Sequence, residues 1–258
     1  MGQGAIRSAA SAILLLLIAA MACAEEPVVY ITETGRRYHL GDCCHLERSR
    51  IPIPLSTAAS IGYEPCGNCN PPPPPEGIAA PAEAAEPYRL NVAGVTRCEA
   101  AELDRMTRAV VVRHVDGDTV YVSIPRPPLH MRNYESLRFI GVDTPETVHP
   151  KDFVESFGRQ ASAFTRKNLL HQPVYLAFDW QLRDRYQRLL AYLYLADGSC
   201  FNAVLVREGF AHAYTRFPFQ FLEEFRDLER EARERGRGFW GFVETYEEIN
   251  ETRPGTNP

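Results

Sequence analysis

The sequence has 258 residues, with 28 basic and 33 acidic side chains, a formal net charge of −5, seven cysteines and 20 prolines. Its hydrophobic fraction of 45% is enough to build a buried core, which excludes a disordered or fibrous chain. The negative total argues against a polyanionic partner such as nucleic acid, but the charge is unevenly distributed. Residues 108–241 carry 19 basic and 17 acidic side chains, a small positive excess.

The first 24 residues have the pattern of a secretory signal peptide. Arg7 precedes an apolar run, and the small residues around Cys23 predict cleavage after Ala24. The run is shorter than the about 20 residues that a membrane-spanning helix needs. We therefore expect a secreted or periplasmic protein with no stable membrane association. The alternatives are an uncleaved anchor and a lipid attached to Cys23.

Residues 28–71 form a short segment rich in cysteine and histidine. His39-x3-Cys43 and Cys66-x2-Cys69 supply four ligands of the kind that enclose a tetrahedral Zn²⁺. A segment this small cannot be stabilised by apolar burial alone. We therefore expect either a metal ion or disulfide bonds here, and an oxidising compartment would favour the disulfides.

The same segment resembles the zinc-binding module at the amino terminus of the Ada DNA-repair methyltransferase, and similar modules appended to secreted nucleases. The most specific part of the resemblance is Gly62-Tyr-Glu-Pro-Cys66-x2-Cys69. His39 stands where the repair protein has the cysteine that accepts the methyl group, so the resemblance implies zinc binding but not methyl transfer. Two further side chains are spare candidates for either a metal or a disulfide: Cys44 and His45.

A proline- and alanine-rich segment, residues 72–87, follows the module. Prolines favour an extended polyproline conformation, so we predict a semi-rigid linker between two units that move independently. Residues 88–107 form a lead-in with one or two helical turns between Glu99 and Met106, and residues 242–258 form an acidic tail.

Residues 108–241 combine short apolar strands with helices. The periodicity of apolar residues predicts five strands, with one helix after the third strand and two after the fifth. This order indicates a small closed β-barrel of the OB-fold type with packed helices, an α+β fold. The predicted strands are 109–115, 119–124, 135–142, 174–179 and 189–195, and the predicted helices are 152–170, 202–208 and 219–235.

Two loops of this domain carry carboxylates. Asp116-Gly-Asp118 lies between the first two strands, and Asp143-Thr144-Pro-Glu146 ends the third. Each run alone is typical of an ordinary turn or strand end, but a small barrel can bring the two loops together. Clustered carboxylates repel one another unless a cation binds, and oxygen ligands select Ca²⁺ or Mg²⁺ over zinc.

Two arginines accompany these loops, Arg138 on the third strand and Arg188 just before the fifth. A lone surface arginine is more often simply solvated. The planar guanidinium nevertheless suits phosphate oxygens, because it donates two parallel hydrogen bonds.

The order of these motifs, continued by Gly158-x2-Ala161 and Asn202-x2-Leu205, resembles the staphylococcal nuclease (thermonuclease) family over about 130 residues. The resemblance implies an OB-type barrel that hydrolyses the phosphodiester bonds of DNA and RNA. It also implies a calcium cofactor and products that end in 3′-phosphates. We expect a monomer, and no protein partner is predicted.

By the same resemblance, calcium is bound by the carboxylates of Asp118 and Asp143 and by the backbone carbonyl of Thr144. Asp116 corresponds to an acid of the outer coordination shell. Glu146 falls on the position of the general base.

Arg138 and Arg188 correspond to the family's two catalytic arginines, which stabilise the transition state. Gln187 stands where the family has a glycine beside the second of them. The resemblance also implies three substrate-binding residues: Arg185, Tyr186 and Tyr214.

Three alternatives stay open at the level of the sequence. The barrel could be a non-catalytic scaffold that binds nucleic acid or protein, because fold alone does not decide function. The cysteine module could carry the main function as a metal sensor or adaptor. Cys98 and Cys200 could form a disulfide, although two cysteines alone give no pattern.

Overall fold

The computed structural model describes residues 26–81, 86–88, 94–145 and 152–241. The predicted signal peptide, part of the linker, Glu146 and the acidic tail lie outside these ranges. Among the helices that are described, none combines the length and apolar character needed to cross a membrane.

The amino-terminal module consists of two small ladders, a 3-10 turn and one helix. One ladder is antiparallel and the other is parallel. The helix ends at Gly62, whose φ of 104° lies in the left-handed region that glycine adopts without strain. The elements are β1 (Val28–Ile31), β2 (Arg37–Tyr38), the 3-10 turn (Cys44–Leu46), β3 (Ile51–Pro54), α1 (Leu55–Ile61) and β4 (Glu64–Pro65); β1 pairs with β3 and β2 with β4.

The lead-in and the rest of the chain build a five-stranded closed barrel. Its elements are α2 (Ala100–Leu103), β5 (Thr107–His114), β6 (Thr119–Ser123), β7 (Tyr134–Phe139), β8 (Val142–Asp143), α3 (Asp152–Leu169), β9 (Pro173–Ala177), β10 (Leu189–Tyr194), α4 (Phe201–Arg207), β11 (His212–Ala213) and α5 (Leu222–Glu234). Around the barrel the strands follow the order β10, β7, β6, β5 and β9. The pair β7–β10 is parallel and the other pairs are antiparallel, while β8 pairs separately with β11.

The predicted barrel with packed helices is confirmed, and each predicted element is present within a few residues of its expected bounds. The third strand is shorter than predicted, because Gly141, with a φ of 73°, turns the chain after Phe139. The two residues that follow, Val142 and Asp143, pair with β11 instead of extending β7. This turn brings Asp143 out of the barrel wall.

The lead-in belongs to the barrel. Val95, Cys98, Leu103 and Met106 are buried in the main core. Cys98 and Cys200 are both buried and both free, so they do not form the disulfide that was considered.

The module packs directly on the barrel, so the prediction of two independently moving units is wrong. The reason lies in β5, which is apolar on both faces. Ala109 and Val111 point into the barrel core, whereas Val110 and Val112 belong to the apolar cluster of the module. The linker is also attached, since the carbonyl of Pro81 accepts a hydrogen bond from a barrel arginine. If the module moved independently of the barrel, the outer face of β5 would lie in water and would be expected to carry polar side chains.

Polar contacts reinforce this interface. Tyr63 of the module donates a hydrogen bond of 2.7 Å from its hydroxyl to Ser123 Oγ on β6, and both side chains are buried. Arg108 donates to the carbonyl of Ser60 at 2.6 Å.

The Tyr63 contact gives a test of the interface. We expect Tyr63→Phe to lower the free energy of unfolding by about 1–2 kcal/mol, because the buried Ser123 hydroxyl loses its partner. Chemical denaturation measures this loss. The double variant Tyr63→Phe/Ser123→Ala should recover part of the stability, since both polar groups are then removed. Equal stability of Tyr63→Phe and the parent protein would contradict the contact.

Candidate active site

The carboxylate of Asp118 lies at the centre of the site. Asp118 ends the turn between β5 and β6, and only 1% of its surface is exposed. Its Oδ1 accepts hydrogen bonds from Arg138 and from Thr119 Oγ1, while Oδ2 accepts from the amide and hydroxyl of Thr144 at 3.0 and 3.1 Å. Burial raises the pKa of Asp118 above its ordinary value, and the Arg138 guanidinium opposes that shift.

Arg138 bridges the two carboxylate loops. Its Nη1 contacts Asp118, and its Nη2 donates to Asp143 Oδ1 and to the carbonyl of Val142, each at 3.1 Å. A third acid is close by, since Asp116 Oδ1 accepts the amide of Asp118 at 3.2 Å. The structure therefore places two carboxylates on one guanidinium, with a third carboxylate on the neighbouring backbone, and confirms that the barrel brings the two loops together.

Position 117, between Asp116 and Asp118, requires glycine because the backbone there lies close to the side chain of Thr144. A Cβ atom on Gly117 would lie 2.6 Å from Cγ2 of Thr144, well inside van der Waals contact. The carbonyl of Gly117 accepts a hydrogen bond of 2.7 Å from the buried Thr165 on α3. The helix thus fixes the turn that carries Asp118.

Arg188 extends from a hairpin that closes where Arg183 and Leu189 form a bridge. Asp184 organises this hairpin. Its Oδ1 accepts the amides of Tyr186 and Arg188 at 2.9 and 3.0 Å, and its Oδ2 accepts Arg188 Nε at 2.7 Å. The role of Asp184 was not predicted, although its spacing of four residues from Arg188 was visible in the sequence.

The two arginines lie on the same side of a strand pair. In the parallel pair, Leu190 is the neighbour of Arg138, and the flanking residues Leu137 and Leu189 are buried in the core. Because side chains alternate along a strand, Arg138, Leu190 and Arg188 share the outer side of β7 and β10. Both arginines therefore lie on the outside of the barrel, on neighbouring strands.

Tyr186 stands at the tip of the hairpin, 64% exposed. The guanidinium of Arg185 lies 4.7 Å from its ring centre and that of Arg188 lies 5.4 Å away. The third predicted substrate-binding residue, Tyr214, follows β11 and donates its amide to the carbonyl of Gly141 at 2.9 Å. An exposed aromatic ring flanked by cations is a surface on which a nucleobase can stack.

A second cluster of ligands lies in the module. Side chains of His39, Cys43, His45 and Cys66 offer ligand atoms that all lie within 4.8 Å of one another. Cys43 Sγ is 3.3 Å from His39 Nδ1 and 3.4 Å from His45 Nδ1. Burial lowers the pKa of His39, which favours the neutral imidazole that can ligate a metal.

Three of the four predicted ligands thus converge, and His45 joins them. Cys69 lies beside the cluster, where its Sγ accepts the amide of Leu40 at 3.4 Å and packs against Cys43 and Cys66. Cys44 is exposed. All six cysteines of the described residues are free, so no disulfide staples this module.

A barrel that carries clustered carboxylates and two arginines on its outer side has the chemical groups that suit a phosphate ester. Residues 136–241 match the family model described as staphylococcal nuclease homologue. The thermonuclease of Staphylococcus hyicus is 38% identical over 131 residues, which are 50% of this chain and 73% of that protein. The thermonuclease of Staphylococcus intermedius is 38% identical over 134 residues, 51% and 74% of the two chains.

Endonuclease YncB of Bacillus subtilis (strain 168) is 32% identical over 139 residues, covering 53% of this chain and 63% of that protein. The chain belongs to the staphylococcal nuclease homologue family, and it is a nuclease, a phosphodiesterase whose substrates are nucleic acids.

Proposed function

We propose that this nuclease is an exported enzyme that uses calcium to hydrolyse the phosphodiester bonds of both DNA and RNA. The observation that carries the proposal is the charge of the site, where Asp118 and Asp143 both pair with the guanidinium of Arg138 and Asp116 accepts the backbone amide of Asp118. Such a site lacks positive charge and attracts a cation.

The donor atoms fit calcium. Asp118, Asp143 and the carbonyl of Thr144 are oxygen ligands, and Ca²⁺ prefers oxygen. Each oxygen of Asp118 already accepts two hydrogen bonds, so a cation and Arg138 would compete for this carboxylate. When bound, calcium would supply positive charge that neutralises the substrate phosphate and polarises it.

The side chains of the protein would perform the remaining tasks. Arg138 and Arg188 would donate hydrogen bonds to the phosphate and stabilise the extra negative charge of the pentacoordinate transition state. Glu146 would accept a proton from the water that attacks phosphorus. The new O–P bond would form as the bond from phosphorus to the 5′-oxygen breaks, so that one product ends in a 3′-phosphate and the other in a 5′-hydroxyl. Arg185, Tyr186 and Tyr214 would hold the nucleotide.

For the module, we propose zinc bound by His39, Cys43, Cys66 and a fourth ligand, His45 or Cys69. A tetrahedral zinc ion with bonds of about 2.0–2.3 Å places neighbouring nitrogen and sulfur ligands about 3.5 Å apart. The observed separations of 3.3, 3.4 and 3.8 Å between such atoms agree with this geometry. The distances thus support a metal in place of disulfides.

Dependence on calcium is tested with the full chain on single-stranded DNA and on RNA. The protein is treated with chelator and dialysed, and then Ca²⁺ or Mg²⁺ is restored. We expect cleavage of both substrates only with calcium, with 3′-phosphate ends on the products. Binding without cleavage in the presence of calcium would indicate a scaffold and contradict the proposal. Export is tested by sequencing the amino terminus of protein recovered outside the cytoplasm, which should begin at Glu25.

A further inference from the structure

Arg183, at the base of the hairpin, joins three parts of the molecule. Its Nη2 donates to Glu135 Oε1 at 2.7 Å and to the carbonyl of His130 at 2.9 Å. Its Nη1 donates to Glu135 Oε2 at 3.1 Å and to the carbonyl of Gln187 at 2.9 Å. One guanidinium therefore connects strand β7, the loop before it and the hairpin that carries Arg188.

Glu135 makes this connection rigid. Its side chain is 5% exposed, and its Oε1 also accepts the amide of Arg132 at 2.7 Å. A buried carboxylate is stable only when it is paired and hydrogen-bonded, so Glu135 holds Arg183 in one orientation. Because the bidentate contact fixes the plane of the guanidinium, it also fixes the direction of the bond to Gln187.

The backbone at Gln187 needs such support. Gln187 has a φ of 65°, a left-handed conformation that is strained for a residue other than glycine. Its carbonyl belongs to the peptide group that joins it to Arg188. The contact from Arg183 therefore orients the peptide immediately before the proposed catalytic side chain.

We propose that Arg183 and Glu135 are positioning residues of the nuclease, which fix the hairpin so that Arg188 reaches the phosphate in one orientation. The inference rests on the proposed role of Arg188 in the transition state. Asp184 fixes Nε of Arg188 from within the hairpin, and the Arg183–Glu135 pair fixes the hairpin against the barrel.

The test is a double-mutant cycle on the full chain with calcium and single-stranded DNA. Arg183→Lys keeps the charge beside Glu135 but cannot make the bidentate contact and reach both carbonyls. We expect kcat to fall about tenfold while KM changes less than about threefold, since the hairpin is misplaced but the substrate still binds. In an Arg188→Ala background the same change should lower kcat less than about twofold, because no arginine remains to be positioned. Arg226→Lys, which alters an exposed pair on α5, is the matched control and should change nothing.

Two kinetic outcomes distinguish failure of the positioning proposal from failure of the proposed role of Arg188. An equal loss of kcat from Arg183→Lys in both backgrounds would mean a general structural role and overturn the positioning proposal. No loss from Arg188→Ala itself would overturn the proposed role of Arg188.

Amide hydrogen exchange gives a readout that is independent of activity: the amides of Gln187 and Arg188 should exchange faster in Arg183→Lys. Glu135→Gln should show the same pattern if Arg183→Lys does not fold. Unchanged exchange in the folded variant would also contradict the inference.

Discussion

Replacing Arg188 by alanine is expected to lower kcat about 10²- to 10³-fold, the usual cost of removing one preorganised donor to a transition-state charge. The carboxylate of Asp184 accepts a hydrogen bond from Nε of Arg188, so Nη1 and Nη2 are the atoms that would donate to a phosphate. KM should change less than kcat, because the negative charge that the arginine stabilises is largest in the transition state. Steady-state kinetics on single-stranded DNA with calcium measure both constants.

Two further variants sharpen this prediction. Arg188→Lys retains a positive charge but loses the planar pair of donors and the Nε bond to Asp184, so an intermediate loss of kcat is expected. Arg226→Ala removes an exposed arginine whose partner is Glu223 and should leave kcat unchanged. A folded Arg188→Ala protein with a kcat within threefold of the parent would show that Arg188 does not stabilise the transition state.

Much of this site could be predicted from the sequence. The carboxylates of Asp118 and Asp143 follow short apolar runs that predict strands, and the strand order of a small barrel brings the two loops together. Arg138 was recognisable for the same reason, since it stands on the strand that leads to Asp143. The residue roles come from the resemblance alone and stay predictions, whereas the matches to thermonucleases confirm the family.

The supporting residues could not be predicted, because they depend on contacts between distant segments. Glu135 and Arg183 are 48 positions apart, and neither stands out from the charged residues around it. His45 follows Cys44 in the sequence, yet it is His45 that approaches Cys43 and Cys66, because the 3-10 turn rotates the two side chains to different sides. Only the folded backbone distinguishes the two.

The docking of the module was missed for a related reason. A strand that is apolar on both faces has two explanations, a barrel wall with a covered outer face or an unusually hydrophobic edge. The sequence of β5 carries four consecutive buried residues, from Ala109 to Val112, but it does not say what covers them. The proline-rich segment predicted a linker that keeps the module apart from the barrel, whereas in the structure Tyr63 of the module is hydrogen-bonded to Ser123 of the barrel.

This shared interface leads to the prediction with the largest effect on stability. We expect Cys66→Ser to lower Tm by about 10 °C or more, because loss of a structural metal costs several kcal/mol and about 2–4 °C correspond to each kcal/mol in a chain of this size. Cys66 is 3% exposed, and its Sγ belongs to the ligand cluster. Calorimetry and metal analysis of the protein purified without reducing agent measure the effect and its cause.

Cys44→Ser is the matched control, since the neighbouring Cys44 is exposed and lies outside the four-ligand cluster. It should keep one equivalent of zinc and the parent Tm. In calcium-free buffer, a chelator should lower the Tm of the parent and of Cys44→Ser but not that of Cys66→Ser, whereas sensitivity to a reducing agent alone would indicate disulfides and contradict the zinc proposal. Because Val110 and Val112 of the barrel belong to the apolar cluster of the module, loss of the proposed zinc would expose the barrel wall as well. Melting should therefore shift as one transition, and two separate transitions would mean that the module stabilises only itself.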